Sequence, residues 1–324
     1  QQRKRVDDHR QVGRRCPRRH RVAEELAVHQ LPPPRNRHDF SAEHGRSVIM
    51  SDIIQDLIHM KQNNINSIRT SHYPSRHELY RLADELGFYV IAENNLESHG
   101  TWQDPSLTDP IANAIPGDRD DWRAMMLDRI DSTYHRDKNR PSVIIWSVGN
   151  ESYGGSVILD MANRFRELDD TRLVHYEGIF HDRRYNDSSD MESHMYTPVE
   201  GIRSFLAAHP EKPFIICEFT HAMGNSVGGM HKYTDYADEE PRYQGGFIWD
   251  YIDQTLWTKD RYGEDYLAYG GDFGERPHDG NFSGDGILFG DHSLTPKMQE
   301  VKANYQPLVI KGNEEGFSVY NRAL

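Results

Sequence analysis

Glu151 and Glu218 each end an apolar run. In SVIIWSVGNESYGG, residues 142–155, the continuous stretch Val143 to Val148 breaks at Gly149 and delivers Asn150 and Glu151. In KPFIICEFTHAMGNSVGG, from Lys212, Phe214 to Cys217 lead straight into Glu218. Short apolar runs bounded by turn residues read as buried strands, so both carboxylates are expected at C-terminal strand edges. Two such carboxylates suit cleavage of a glycosidic bond with retention, in which one protonates the leaving oxygen and the other attacks the anomeric carbon from about 5 to 5.5 Å away. The exposed Asn150-Glu151-Ser152 turn suits an acid/base that must meet water, whereas Glu218, near His221, suits a nucleophile that stays ionised. The acid is expected to be shifted upward and the nucleophile downward.

Other polar residues fall at the ends of apolar runs. Glu97 and His99 in NNLESHG lie two apart, so in an extended segment they face the same way. With Glu151 they could hold a divalent ion, and oxygen-rich ligation favours magnesium or manganese over zinc. His38, Arg69, His72, Tyr196, His221 and Trp249 are further strand-end candidates, Trp249 offering an aromatic face to a sugar and Asn150 an amide to a hydroxyl.

Something must carry these residues to one place. From residue 50 the chain alternates: helical faces around Ile53, Leu57, Ile58 and Met60, then Glu78 to Leu86, 121–136, 156–168, 202–209 and 231–237, are separated by strands NSIRT, FYVIAE, SVIIWS, LVHYEG, SHMYTP, FIICE and GGFIWDYIDQ. Seven strands that are mostly apolar throughout, alternating with helices, predict a parallel sheet covered on both sides. Polar residues at nearly every strand end (His72, Glu93, Glu151, Glu177, Tyr196, Glu218, Trp249) distribute function around a ring, which predicts an α/β fold of the (β/α)8 TIM-barrel type rather than an open sheet. The first strand is expected just before Arg35. Residues 94–120 form a loop long enough to help build a site, and 266–292 are Gly/Asp-rich. From Lys297 the reading is β structure.

Bulk properties narrow the class. The 324 residues carry a net charge of −13, yet residues 1–35 hold 10 Lys/Arg against 4 Asp/Glu, leaving a body at 28 against 47. So acidic a body is a poor partner for nucleic acid. Two distant cysteines, Cys16 and Cys217, point to a reducing, cytoplasmic setting. No apolar run reaches the ~18 residues of a membrane span. Residues 1–34 are a basic head without periodicity, ending in Pro32, Pro33 and Pro34; they read as non-native translation or a disordered tail.

The strings RNRHDFSAEHG, MKQNNINSIRTSHYP, FYVIAENNLESHG, RPSVIIWSVGNES, CEFTHAMGNSVGG, YQGGFIWDYIDQ and GGDFGERPHDGNFSGDGILF resemble the catalytic barrel of the large bacterial β-galactosidases of glycoside hydrolase family 2, from about Arg35 to Leu308. GNES and SHYP are shared with the β-glucuronidases of that family, while CEFTHAMGNS and GGDFG are similar to the β-galactosidases in particular. The resemblance implies retaining hydrolysis of terminal β-D-galactosides such as lactose, with Glu151 as acid/base and Glu218 as nucleophile. It implies magnesium at Glu97, His99 and Glu151, and galactose contacts or transition-state support from His38, His72, Asn150, Tyr196, His221 and Trp249. It further implies sodium at Phe282 and Asp285, where Asp285 replaces a more familiar Asn, and homo-oligomeric assembly for the full-length enzyme.

The departures from the pattern carry their own expectations. Relatives of this type have β domains before and after the barrel, and their first strand is apolar, whereas here LAVHQLPPPRNRHDF stands in its place. Three prolines are unsuited to a central strand, which suggests a truncated or frame-disrupted product. The expected division is a head at 1–34, a barrel at 35–296 and the start of a further β domain at 297–324. A non-catalytic remnant and a β-glucuronidase are the alternatives.

Overall fold

The computed structural model describes residues 39–104, 106–314 and 316–322. Seven parallel strands run in chain order: β1 (Ser67–Arg69), β2 (Tyr89–Glu93), β3 (Val143–Ser147), β4 (Leu173–His175), β5 (Glu192–Met195), β6 (Phe214–Phe219) and β7 (Tyr243–Ile248). They form two arcs, β1 to β4 and β5 to β7, with registers such as Ile68 against Val90, Trp146 against Val174 and Ser193 against Ile215. The backbone N–H of Asp190 donates to the Val174 carbonyl at 2.8 Å, joining the arcs.

Side chains show that the arcs curve into a ring. Ile91, Ile145, Leu173, Met191, Ile215 and Phe247 meet in one small buried cluster, although they come from β2, β3, β4, the approach to β5, β6 and β7. Such a meeting is possible only in a barrel lumen, where alternate residues point inward. The residues of opposite parity, among them Ile68, Val90, Trp146, Val174, Phe214 and Ile248, join the larger cluster under the helices. The strand expected before Arg35, the basic head and His38 fall among residues 1–38, outside the described residues.

The helices follow from their apolar spacing. Helix α1 (Met50–Gln62) buries Ile53, Leu57 and Met60, and α2 (His77–Leu86) buries Leu79, Tyr80, Leu82 and Ala83. Gly87, at φ +69°, stops α2 in the left-handed conformation that glycine takes freely. Helices α3 (Asp120–Asp137), α4 (Ser156–Leu168), α5 (Val199–Ala208) and α6 (His231–Glu239) complete the outer layer. Ile58, expected on the buried face of α1, is 43% exposed. Asp56 turns inward instead, where its carboxylate meets His292 Nδ1 at 2.7 Å and its carbonyl accepts from Tyr251 Oη at 3.0 Å.

Two further expectations change. An antiparallel hairpin, β8 (Leu256–Lys259) with β9 (Asp265–Ala268), takes in the first residues of the Gly/Asp-rich stretch 266–292. The β reading from Lys297 is also corrected: helix α7 (Lys297–Asn304) comes first and buries Met298 and Val301 in the main core. After α7 the chain forms a second antiparallel hairpin, β10 (Leu308–Asn313) with β11 (Gly316–Asn321). Lys297, Lys302 and Glu300 masked the short apolar stripe of α7.

Above the apolar plug the lumen is polar. Arg69, Glu93, Ser147, His175 and Ser193, from β1 to β5 in turn, are all buried. Ser147 Oγ lies 2.9 Å from His175 Nδ1, and His175 Nε2 lies 2.8 Å from Ser193 Oγ. Burial, with the Arg69 charge nearby, pushes the His175 imidazole down to about 3. Because an unfolded histidine titrates near 6.5, the unfolded state binds the extra proton between those values. This contribution to stability is complete above about pH 6.5 and is lost as pH falls toward 3. In urea melts, the stability gap between the parent and His175→Gln should therefore narrow by about 2 kcal/mol from about pH 7 to pH 5. An unchanged gap would refute the assignment.

Candidate active site

A cavity of about 650 Å³ opens at the C-terminal ends of the strands. His72, Glu97, His99, Asn150, Glu151, Tyr196, Glu218, His221, Trp249, Phe282 and Asp285 all line it. Every described residue expected to act in catalysis or to contact sugar or metal is therefore brought to one place, with Arg69 buried in the polar layer beside them.

Glu218 ends β6 and is 5% exposed. Its Oε1 accepts from Arg69 Nη1 at 2.9 Å, and its Oε2 accepts from Tyr196 Oη at 2.9 Å. Arg69 is the centre of the polar layer. Its Nε and Nη2 donate to Glu93 Oε2 and Oε1 at 2.8 and 2.9 Å, and Nη2 also donates to Asn150 Oδ1 at 2.8 Å. Burial alone would raise the Glu93 carboxyl, but Arg69 and His72 hold it well below the usual carboxylate range. His72 stacks on Trp249 at 5.0 Å between ring centroids, forming an aromatic wall. The Trp249 indole N–H is fixed by Asp285 Oδ2 at 2.8 Å.

Glu151 has different surroundings. Burial, then the charges of Glu218 and Glu97 and a hydrogen bond shared with Glu97, push its carboxyl up to about 8. His99 Nδ1 lies 2.8 Å from Glu151 Oε2. The 94–97 loop reaches Glu151 through a parallel bridge between Glu97 and Asn150, with the Asn150 N–H donating to the Leu96 carbonyl at 2.8 Å. Gly149 permits this approach, because a Cβ there would lie 2.6 Å from the Leu96 Cβ. Gly149→Ala should cost about 1 to 3 kcal/mol in urea unfolding, the usual range for overpacking; a cost near zero would show that the loop gives way.

Two carboxyl groups with different surroundings face a single cavity, the arrangement a double-displacement glycosidase needs. The family model described as glycosyl hydrolases family 2, TIM barrel domain, matches residues 35–310. The chain belongs to glycosyl hydrolase family 2. Within this family it is 53% identical over 289 residues to a β-galactosidase of Halalkalibacterium halodurans, covering 89% of this chain and 28% of that protein. It is 50% identical to a β-galactosidase of Clostridium acetobutylicum, covering 89% of this chain and 32% of that one. It is also 50% identical over 272 residues to the β-galactosidase large subunit of Leuconostoc lactis, at 83% and 43% coverage. The chain thus spans about a third of the length of the curated relatives it matches.

Solved structures of family 2 members share the fold at lower identity. A member from Bacteroides cellulosilyticus superposes with a TM-score of 0.63 at 16% identity, covering 87% of this chain and 34% of that one. The β-glucuronidase of Ruminococcus gnavus gives 0.60 at 19% identity, covering 85% and 50%. The ring of strands is therefore the fold these family 2 members share.

Three contributors to the site went unassigned in the sequence. Glu93 and Glu177 were visible as strand ends without a role, and Arg69 was one polar strand-end residue among several. Their signal was a charged residue inside an apolar run, which is tolerated only with a buried partner. His72 and Asn150, expected as sugar contacts, also belong to the Arg69 network.

Proposed function

We propose that this family 2 barrel hydrolyses terminal β-D-galactosides with retention. The observation that carries the reading is the contrast between two carboxylates in one cavity: Glu218 faces Arg69 and Tyr196, whereas Glu151 faces Glu97 and Glu218 and is pushed up to about 8. In the first step the Glu218 carboxylate attacks the anomeric carbon while Glu151 gives its proton to the leaving oxygen, forming a galactosyl ester. Glu151, now a carboxylate, takes a proton from water, which attacks the same carbon and frees Glu218. His72 and Trp249 offer the apolar wall, and Tyr196 and Asn150 offer polar contacts to the sugar.

A galactoside fits this cavity better than a glucuronide. Among its described lining residues are Glu275, Asp279 and Asp285 but no Lys or Arg, so a uronate carboxylate would meet anions rather than a cation. The names of the relatives agree with this choice.

Glu97, His99 and Glu151 are the residues that would hold magnesium. Two carboxylates and an imidazole suit a hard divalent ion, and Glu151 crowded by Glu97 and Glu218 calls for a positive charge. His99 and Glu151 contact each other directly, and among the described residues no preformed three-residue metal group stands. A bound ion would part these contacts and offset the carboxylate charges. Calorimetric titration of magnesium should show one site that Glu97→Gln weakens at least about tenfold, the effect of losing one ligand. A titration without heat would remove magnesium from the reading. Sodium at Phe282 and Asp285 fits less well, because Asp285 Oδ2 is already committed to Trp249, and no step depends on it.

The deciding experiment is mass analysis after incubation with a 2-deoxy-2-fluoro-galactosyl fluoride and magnesium, followed by peptide mapping. A single galactosyl adduct on Glu218 is expected. A folded protein that acquires none would be a remnant without the chemistry. With metal removed, kcat/KM for a substrate with a poor leaving group should fall about tenfold per pH unit above about pH 8, because Glu151 must carry the proton. No alkaline limb in that region would exclude Glu151 as the acid. Among the described residues no helix is long and apolar enough to cross a membrane.

A further inference from the structure

Glu151 has a positive φ, +33°. Such a conformation is unfavourable for a residue with a Cβ and persists only where its surroundings over-determine it. Both ends of this residue are gripped. Glu177, 1% exposed at the end of β4, accepts the Glu151 N–H on Oε1 at 2.5 Å. Trp102 Nε1 donates to the Glu151 carbonyl at 2.8 Å from the opposite element, the long loop after β2.

Neither gripping side chain is free to wander. Burial and the nearby Glu151 charge keep the Glu177 carboxyl raised well above the ordinary range. Glu177 begins a 3-10 turn, Glu177–Phe180, whose Glu177, Gly178 and Ile179 are buried. The Trp102 ring sits between His99, His181 and Tyr153, with centroids 5.1, 5.1 and 5.4 Å away. Ser152 Oγ adds a 2.8 Å bond to the Asn150 carbonyl, bracing the turn from within.

We propose that Glu177 and Trp102 are positioning residues, a two-sided clamp that holds Glu151 in its left-handed backbone state and so aims its carboxyl at the leaving oxygen. The inference rests on the assignment of Glu151 as the acid/base. Neither residue lines the cavity, so each acts through Glu151 rather than on the sugar. The clamp explains why a glutamate is tolerated where glycine would be the easy choice: the reaction needs the carboxyl, and the surrounding elements hold it against its backbone preference.

Three variants separate the clamp from a merely structural role. Glu177→Gln keeps an acceptor oxygen of the same reach, Glu177→Leu removes it at similar volume, and Trp102→Phe keeps the ring without the N–H. Crystal structures should show residue 151 at negative φ in the Leu and Phe variants and at positive φ in the Gln variant. Kinetics should show kcat on a galactoside with a poor leaving group falling at least about tenfold in the Leu and Phe variants, since that step needs the placed proton. On a dinitrophenyl galactoside, whose leaving group needs no proton, kcat/KM, which reports the first displacement alone and not the later step in which Glu151 serves as base, should stay within about threefold of the parent in the same variants, and Glu177→Gln should match the parent on both.

Equal losses on the two substrates would overturn the clamp, as would a positive φ at residue 151 in the Leu and Phe variants. If Glu177→Leu fails to fold, Trp102→Phe decides. If the parent chain turns over neither substrate, the proposed function fails, while φ at residue 151 in the variant crystals still decides the clamp.

Discussion

Glu218→Gln should abolish galactoside turnover and leave the barrel folded. The amide is nearly isosteric, so Arg69 or Tyr196 can still meet its oxygen, but it cannot form the ester. A loss of roughly 10⁴- to 10⁶-fold in kcat is expected, the scale seen when a nucleophile is removed from a covalent mechanism. Arg69 keeps its two bonds to Glu93, so the stability cost should stay at about 1 to 3 kcal/mol. Rates on an aryl galactoside, paired with a thermal melt, provide the check. A variant retaining more than about a hundredth of the parent rate would rule out Glu218 as the nucleophile.

Arg69→Met should be the most destabilising single change in the barrel mouth. The methionine fills part of the space but leaves Glu93, buried on every side, without its bidentate partner, and takes from Glu218 its close guanidinium contact. Removing one partner of a buried ion pair costs about 3 to 5 kcal/mol, against a total of about 5 to 15 for a typical domain. The sign of the pH dependence is fixed by Glu93: its folded value lies below its unfolded one, so the contribution is complete above about pH 4 and is lost as pH falls further. The double variant Arg69→Met with Glu93→Gln should recover part of the loss, giving a coupling of at least about 1 kcal/mol in a double-mutant cycle. Additive losses would show that the two groups do not share their energy.

The fold was legible because its signals are local. Six helices and seven strands announced themselves through apolar period, and the second helix ends at Leu86 as its spacing predicts. Helix α7 was misread because only Met298 and Val301 carry its buried face, too few to separate three-residue from two-residue spacing. The β8/β9 hairpin was missed because only Ala268 among its strand residues is buried, so no alternation of buried and open positions marks it.

The site was legible as a set of residues and much less as a network. Strand ends placed Glu151 and Glu218, yet nothing in one dimension said that Arg69 would reach Glu218, 149 positions away. Ser147 was the hint that went unused: it is the one hydroxyl in the strand VIIWS, and it donates to Glu93 Oε2 at 2.7 Å. The departure at Glu151 was hidden for another reason. Its positive φ depends on Glu177 and Trp102 converging from separate loops, and no property of the GNES string requires it.

The position of Arg69 also bears on how this sequence can change over generations. Its guanidinium meets Glu93 of β2, Glu218 of β6 and Asn150 in the turn after β3, so the side chain that faces the proposed nucleophile also ties the ring of strands together. Drift at Arg69 or Glu93 one residue at a time must pass through an intermediate with a stranded buried charge. A lineage freed from selection for turnover would still be held at these two positions by its need to fold, so their persistence in a descendant is weak testimony to activity, whereas Glu218 would be free to change.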